Sequence, residues 1–195
     1  MLFRSLTSGA DRGFYSVPEV NDEVLVIFEH GDITRPIIVG MLWNRQDKIP
    51  DAKSKSTTAA VDSGSTNRRG FRSRVGHYLE FDDTSGSEAI SLFTQGGHEM
   101  SFDDSKKKGM FMKTAGGHEL SLDQQGSSIE IKNSAGNKIT ISDSGAIEVK
   151  AIASIKLSAP QITVSADGIL SLEGATVKVN GTTIVQIQGA LVTIN

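Results

Sequence analysis

Pairs of apolar residues separated by one residue recur through most of the chain, and they constrain the fold more than any other feature. Four segments align on glycines that are 21, 20 and 19 residues apart, and an alternating apolar pattern follows each glycine. Alternation places both apolar members of a pair on one face of a β-strand. Each repeat of about twenty residues therefore predicts two short strands and two turns, as in a solenoid or an array. The repeat glycines are Gly76, Gly97, Gly117 and Gly136, and the intervening pairs are Ile90/Leu92, Met110/Met112 and Ile129/Ile131.

The repeat becomes shorter after residue 145. First members of successive pairs are then 8, 7, 8, 7, 8 and 7 residues apart, a mean of 7.5. Glycine, alanine, asparagine or proline often stands between pairs, which predicts a corner after each short strand. The pairs are Ile147/Val149, Ile155/Leu157, Ile162/Val164, Leu170/Leu172, Val177/Val179, Val185/Ile187 and Val192/Ile194.

Such strands cannot be stable alone. Two buried aliphatic side chains contribute roughly 3–6 kcal/mol, whereas fixing seven or eight backbone residues costs roughly 7–15 kcal/mol. A single-chain solenoid or an intertwined trimer would supply the hydrogen-bonded neighbours. A three-sided single-chain coil has three inequivalent corners, so its pattern should recur at every third strand, whereas here it recurs at every strand. This favours a trimer, in which symmetry makes the corners equivalent.

The predicted trimer core consists of the inward members of these pairs. The core residues are Leu79, Phe81, Met100, Phe102, Leu120, Leu122, Ile147, Val149, Ile155, Leu157, Ile162, Val164, Leu170, Leu172, Val177, Val179, Val185 and Ile187. All eleven aromatic residues precede residue 112, so the narrow C-terminal part should have a thin aliphatic core. The predicted trimer should therefore become narrower toward its C-terminus.

The N-terminal segment follows a different pattern. Strands are expected at residues 23–28 and 36–43 with a turn between them, which is about half of a small antiparallel barrel. Residues 45–70 are polar and predict a linker. The expected organisation is a partial barrel at 1–44, the linker at 45–70, a wider shaft at 71–144 and a narrow tip at 145–195.

Residues 11–26 (DRGFYSVPEVNDEVLV) and 29–44 (EHGDITRPIIVGMLWN) resemble the OB-fold signature of VgrG-type and phage baseplate V-type spike proteins. Residues 76–83 (GHYLEFDD) resemble the segment that enters their triple-stranded β-helix. The resemblance implies an all-β fold: a partial OB barrel followed by an intertwined trimeric β-prism needle. The family's hub domains and the first part of the barrel are missing from this sequence, so a trimmed chain and a barrel completed by another chain both remain open.

The resemblance also implies a function and partners. The chain would be the membrane-puncturing spike of a contractile injection system: a phage tail-like particle, a tailocin or a type VI secretion system. Its N-terminus would join baseplate hub and tube proteins, and its blunt tip would bind a PAAR-type protein. The predicted cap-binding residues are Gly189, Ala190, Leu191, Val192, Thr193, Ile194 and Asn195. Residues 1–15 lack the apolar core of a signal peptide, so assembly in the bacterial cytoplasm is expected, followed by secretion or delivery within the particle.

No motif predicts catalysis, a cofactor or a metal. Cysteine is absent, which excludes disulfides and a thiol nucleophile. His98-Glu99 and His118-Glu119 begin like a zincin motif, but Phe102 and Leu122 stand where the second histidine would be. His77, His98 and His118 fall in phase with inward positions, and in a trimer each would form an axial ring in which an ion is conceivable. Packing or hydrogen bonding of these imidazoles is the favoured interpretation.

Two other classes of function would require features that this sequence shows less clearly. A single-chain β-solenoid adhesin or polysaccharide-acting protein needs a groove for sugars, and the last 84 residues contain no aromatic side chain for stacking. An OB-type nucleic-acid binder needs a whole barrel and a basic face. The formal net charge is −3, and the basic run at residues 68–74 (RRGFRSR) is typical of a solvated linker or a dock for a neighbouring acidic subunit. No nucleic-acid partner is expected.

Overall fold

Short β-strands make up nearly all of the regular structure. The computed structural model describes residues 2–3, 7–51, 60–62, 64–105 and 108–193. Apart from one 3-10 helix at Glu29–Gly31, the elements in these ranges are strands, and the predicted all-β fold is confirmed. The strands are β1 (Leu2–Phe3), β2 (Ser8–Gly9), β3 (Arg12–Gly13), β4 (Val24–Phe28), β5 (Pro36–Met41), β6 (Val61–Asp62), β7 (Ser65–Thr66), β8 (Arg68–Arg72), β9 (Tyr78–Asp82), β10 (Ala89–Phe93), β11 (Glu99–Asp103), β12 (Gly109–Lys113), β13 (Glu119–Asp123), β14 (Ser128–Lys132), β15 (Lys138–Ser142) and β16 (Ile147–Lys150).

The N-terminal segment forms a small open sheet. Its strand order is β1-β5-β4, with β1 parallel to β5 and β5 antiparallel to β4. The register shifts between Leu25 and Val26, as at a β-bulge. An OB fold is a five-stranded, partly open barrel, so three strands are consistent with part of one. In the part of the chain that the structure describes, no helix is long and apolar enough to cross a bilayer.

A nine-stranded antiparallel sheet runs from β8 to β16, and each strand pairs with the next one along the chain. The sequence pattern predicts neighbouring strands from other chains throughout the shaft. Up to Lys150 these neighbours come from the same chain instead, because turns of only four to six residues connect the strands as hairpins. Gly76, Gly97, Gly117 and Gly136 allow four of these turns, since each glycine has a φ between 84° and 95°.

The sheet begins earlier than predicted. The sequence pattern places Arg68 and Arg69 in the polar linker at 45–70, but both belong to β8. Arg68 is buried because it pairs with Glu80 across the β8–β9 hairpin, so this part of the interpretation as a solvated linker is wrong. Residues 52–59 of the predicted linker lie outside the described residues.

Residues 154–195 form a separate unit. Among residues 154–193, which the structure describes, none belongs to a strand. Bends occur at residues 160, 167–168, 175–176, 182–183 and 190, with straight segments between them. The bends therefore repeat at the 7–8-residue spacing of the apolar pairs.

Candidate functional site

One face of the nine-stranded sheet carries two apolar side chains per strand from β9 onward. The register places Phe81 opposite Ile90, Ile90 opposite Phe102, and Phe102 opposite Met110. The same alternation continues to Ile147 and Val149 on β16. We call this surface the apolar face. It contains the predicted core residues Leu79, Phe81, Met100, Phe102, Leu120, Leu122, Ile147 and Val149, together with Ile90, Leu92, Met110, Met112, Ile129, Ile131, Ile139 and Ile141.

The apolar face is open in a single chain. Leu79 is 37% exposed, Phe102 is 40% exposed and Val149 is 53% exposed. Covering a half-exposed aliphatic side chain stabilises an assembly by roughly 1 kcal/mol, and this face carries two such residues on each of eight strands. A contiguous apolar surface of this kind marks an interface.

The opposite face is polar and better covered. Glu80, Ser91, Ser101 and Ser121 are buried, although they alternate with the exposed apolar residues. Phe111 lies opposite both Ser101 and Ser121 in the register, so the long side chain stands between two short ones. One chain thus covers much of its polar face itself and leaves its apolar face exposed.

A buried ionic cluster stands at the start of the sheet. Arg68 Nη1 lies 3.2 Å from Glu80 Oε2, and the two side chains are 6% and 1% exposed. Burial, and then the charge of Glu80, raises the pKa of Tyr78. Sequence reasoning missed this cluster, because the partners are twelve residues apart and meet only when β8 and β9 form a hairpin.

Removing the charge of Glu80 should strongly destabilise the sheet. Glu80→Gln would remove the carboxylate that pairs with the buried guanidinium of Arg68, and breaking a buried pair costs about 3–5 kcal/mol. The control is Asp83→Asn, which breaks the ion pair of Asp83 with Arg69, whose side chains are 57% and 62% exposed. Exposed pairs contribute about 0–1 kcal/mol. Denaturant unfolding should separate the variants clearly, and equal losses would contradict the structural role of Arg68–Glu80.

The predicted core residues of the narrow tip are also exposed in a single chain. Among them, the first members of the pairs are 48–58% exposed and the second members are 63–72% exposed. Ile169 and Ile184, which lie outside the pairs, are 89% and 75% exposed. The predicted core residues in these pairs are Ile155, Leu157, Ile162, Val164, Leu170, Leu172, Val177, Val179, Val185 and Ile187. In the predicted cap-binding segment, Ile194 and Asn195 lie outside the described residues.

The three shaft histidines lie at the ends of similar turns. In each turn the hydroxyl of Ser73, Thr94 or Thr114 accepts a hydrogen bond from the backbone N–H of the histidine four residues later, at 3.0–3.1 Å. His77 Nδ1 accepts from the N–H of Gln95 in the next such turn, and His98 Nδ1 accepts from the N–H of Ala115, both at 3.3 Å. These two imidazoles therefore tie successive turns together.

A cleft lined by aromatic and charged residues lies between the N-terminal segment and β8. Its volume is about 980 Å³, and its lining includes Tyr15, Trp43 and Phe71. Phe14 packs edge-on against Phe71 with ring centroids 6.4 Å apart, and Arg74 Nε lies 3.2 Å from Glu19 Oε1. Tyr15 and Trp43 are 81% and 64% exposed, so this end also presents aromatic surface. Among the described side chains, no three of His, Cys, Asp or Glu converge as a metal site would require.

Two segments of the chain match known protein families. Residues 2–43 match the type VI secretion system/phage-baseplate injector OB domain. Residues 109–171 match the phage baseplate V C-terminal trimerisation domain, and they include much of the apolar face and part of the tip. Both segments thus match domains of the VgrG and phage baseplate V family of spike proteins.

Curated members of this family are similar over about half of the chain. The type VI secretion system spike protein VgrG3 of Vibrio cholerae serotype O1 is 33% identical over 89 residues, 45% of this chain. The actin cross-linking toxin VgrG1 of the same serotype is 32% identical over 89 residues, again 45% of this chain. The spike protein VgrG1c of Pseudomonas aeruginosa is 21% identical over 99 residues, 51% of this chain. The matches cover only 8% of each Vibrio protein and 14% of VgrG1c.

Proposed function

We propose that this spike-family chain forms the homotrimeric central spike of a contractile injection system, either a type VI secretion system or a phage tail-like particle. The observation that carries the proposal is the open apolar face, which continues through a segment similar to a trimerisation domain. Three chains can bury this face against one another and leave the polar face outside.

In the shaft, each chain would contribute one whole sheet as a wall of a three-sided prism. The hairpins already provide the backbone hydrogen bonds between neighbouring strands of one chain. Trimerisation of the shaft therefore joins whole sheets and does not interleave strands from different chains. Nine strands spaced about 4.8 Å apart give a wall about 40 Å long. The apolar faces of three walls would form the core around the axis. The proposed organisation is thus a partial OB domain at 1–44, a shaft at 68–150 and a tip from 151.

In the tip, the three chains would wind around one another. Three segments of 7.5 residues complete one turn around the axis after about 22 residues. In a single-chain solenoid, successive turns of the chain would be hydrogen-bonded to each other and would lie about 4.8 Å apart. In a three-stranded coil, successive turns of one chain are about 14 Å apart and the other two chains lie between them. The second arrangement agrees with regular bends and exposed pairs within residues 154–193, where the described backbone forms no strand of its own.

The spike would act mechanically and without catalysis, assembling in the bacterium and leaving with the particle. Residues 151–195 contain four charged side chains, Lys156, Asp167, Glu173 and Lys178, so few ions require desolvation when the tip enters a bilayer. The exposed aromatic surface at Tyr15 and Trp43 suits contact with hub or tube proteins. A PAAR-type protein would bind the tip, because exposed apolar side chains such as Leu191 and Val192 invite aggregation unless a partner covers them.

Deleting residues 190–195 should abolish binding of a PAAR-type protein from the same genome and leave the trimer folded. The physical reason is that the deletion removes the proposed docking end but leaves the shaft walls unchanged. A pull-down with the purified cap measures binding, and light scattering on the same sample verifies the trimer. Full cap retention by a truncated trimer would contradict tip docking.

A further inference from the structure

The strands of the nine-stranded sheet begin and end along two opposite borders, and we call each border of turns an edge. The two edges are chemically different. A meander places alternate turns on opposite sides, so every second turn shares an edge. We call the edge formed by turns 73–77, 94–98, 114–118 and 133–137 the histidine edge. The aspartate edge is formed by turns 83–88, 104–108, 124–127 and 143–146. Each five-residue strand between them spans roughly 17 Å.

The histidine edge is held rigid and carries positive charge. Besides the imidazole bonds between turns, Asn137 Oδ1 accepts a hydrogen bond from the N–H of Ile152 at 2.8 Å. Two carboxylates, Glu99 and Glu119, stand at the strand ends on this side, and Lys132 Nζ lies 3.2 Å from Glu119 Oε1. Within the chain, Arg74 also pairs with Glu19, and Lys138 pairs with Glu130. The cations at the strand ends and first turn are Arg72, Arg74, Lys113, Lys132, Lys138 and Lys150.

The histidines add directed donors to this edge. A neutral imidazole has one N–H donor and one acceptor nitrogen. Because Nδ1 of His77 and of His98 accepts a backbone hydrogen bond, the proton lies on Nε2. These two side chains therefore offer an N–H to a neighbouring acceptor, and they do not offer the free lone pair that a metal ion requires at Nε2.

The aspartate edge carries the opposite charge. Asp82, Asp103 and Asp123 each accept a backbone hydrogen bond within their own turn, which keeps the carboxylates fixed at the ends of β9, β11 and β13. On this edge Arg69 pairs with Asp83. Lys106, Lys107 and Lys108 follow in the sequence of one turn, and only Lys108 is described. The carboxylates of this edge are Asp82, Asp83, Glu88, Asp103, Asp104, Asp123 and Asp143.

Threefold symmetry decides which edges meet. In a closed ring of three identical walls, every contact is heterologous, so one edge of each wall meets the other edge of its neighbour. We infer that each corner of the shaft joins the histidine edge of one chain to the aspartate edge of a second copy. This inference rests on the proposed homotrimer. The opposite charges, together with the match between imidazole N–H donors and carboxylate acceptors, would favour contacts between unlike edges. They would disfavour contacts between like edges.

The absence of native cysteine permits a direct test in the full chain. Gln95→Cys marks the histidine edge and Ser85→Cys marks the aspartate edge, and both positions are exposed in a single chain. The double variant would be treated with a short bis-maleimide and separated on a denaturing gel. Covalent trimer, with dimer as the partial product, is expected. Each single variant is the matched control and should remain monomeric on the gel, because like edges occupy different corners.

Three other outcomes would overturn the corner assignment in distinguishable ways. A trimer by light scattering that yields only monomer on the gel contradicts the corner contact and leaves the proposed spike standing. Efficient dimer from either single variant shows that like edges meet, which also excludes a ring of three. A monomer by light scattering before cross-linking refutes the homotrimer, and the corner contact fails with it.

Discussion

Phe102→Asp should prevent the shaft from forming a trimer. Phe102 lies in the middle of the apolar face, between Ile90 and Met110 in the register. In the trimer the substitution would bring three carboxylates into a dry core, where each uncompensated ion costs several kcal/mol. Light scattering of the variant should give monomer, or a species whose association is weakened by several orders of magnitude.

Phe111→Asp is the matched control, because it makes the same change one strand away on the polar face. Phe111 lies opposite Ser101 and Ser121, so the new carboxylate would have hydroxyl neighbours and access to water. This variant should lose some stability from the missing ring but remain trimeric. Dissociation of Phe111→Asp with retention of the Phe102→Asp trimer would show that the core faces the other side of the sheet.

Val164→Asp should unravel the tip while the shaft holds the trimer together. Val164 is an inward position of the predicted 7.5-residue repeat, and it is 63% exposed in a single chain. Winding three chains would bring three aspartates to the axis, an arrangement that is untenable unless the groups are protonated. Limited proteolysis followed by mass spectrometry should show rapid cleavage within residues 154–193, and the thermal transition of the tip should be lost.

Thr163→Asp places the same charge one residue away, where alternation turns the side chain outward. Its cleavage pattern should match that of the unmodified chain. Similar protease sensitivity in the two variants would show that the inward phase of the tip is assigned incorrectly.

The strands and their faces could be predicted from the sequence. Along each strand, the alternation of apolar and polar residues depends only on which side of that strand is to be buried. The pairs from Leu79/Phe81 to Ile147/Val149 all lie on one face, and the four glycines stand in turns as expected. Alternation does not reveal whether the neighbouring strand belongs to the same chain, so the hairpins of the shaft were missed. A usable signal was present in the turns, where Ser73, Thr94 and Thr114 each precede a glycine and a histidine at hairpin spacing.

Composition was a poor guide at Arg68. A short basic run among polar residues predicts a solvated segment, yet Arg68 is buried through its pairing with Glu80. Only the β8–β9 register brings the two side chains together. The two charged edges could not be predicted for the same reason. Basic and acidic turns alternate along the sequence, and they lie on opposite edges only when the strands fold into a meander.

The molecular mass of the full chain in solution tests the central claim most directly. Size-exclusion chromatography with light scattering at micromolar concentration should give three times the chain mass of 20.8 kDa, because the apolar face and the tip residues are covered only between chains. A stable, folded species of 20.8 kDa would contradict the trimeric spike and favour the single-chain solenoid.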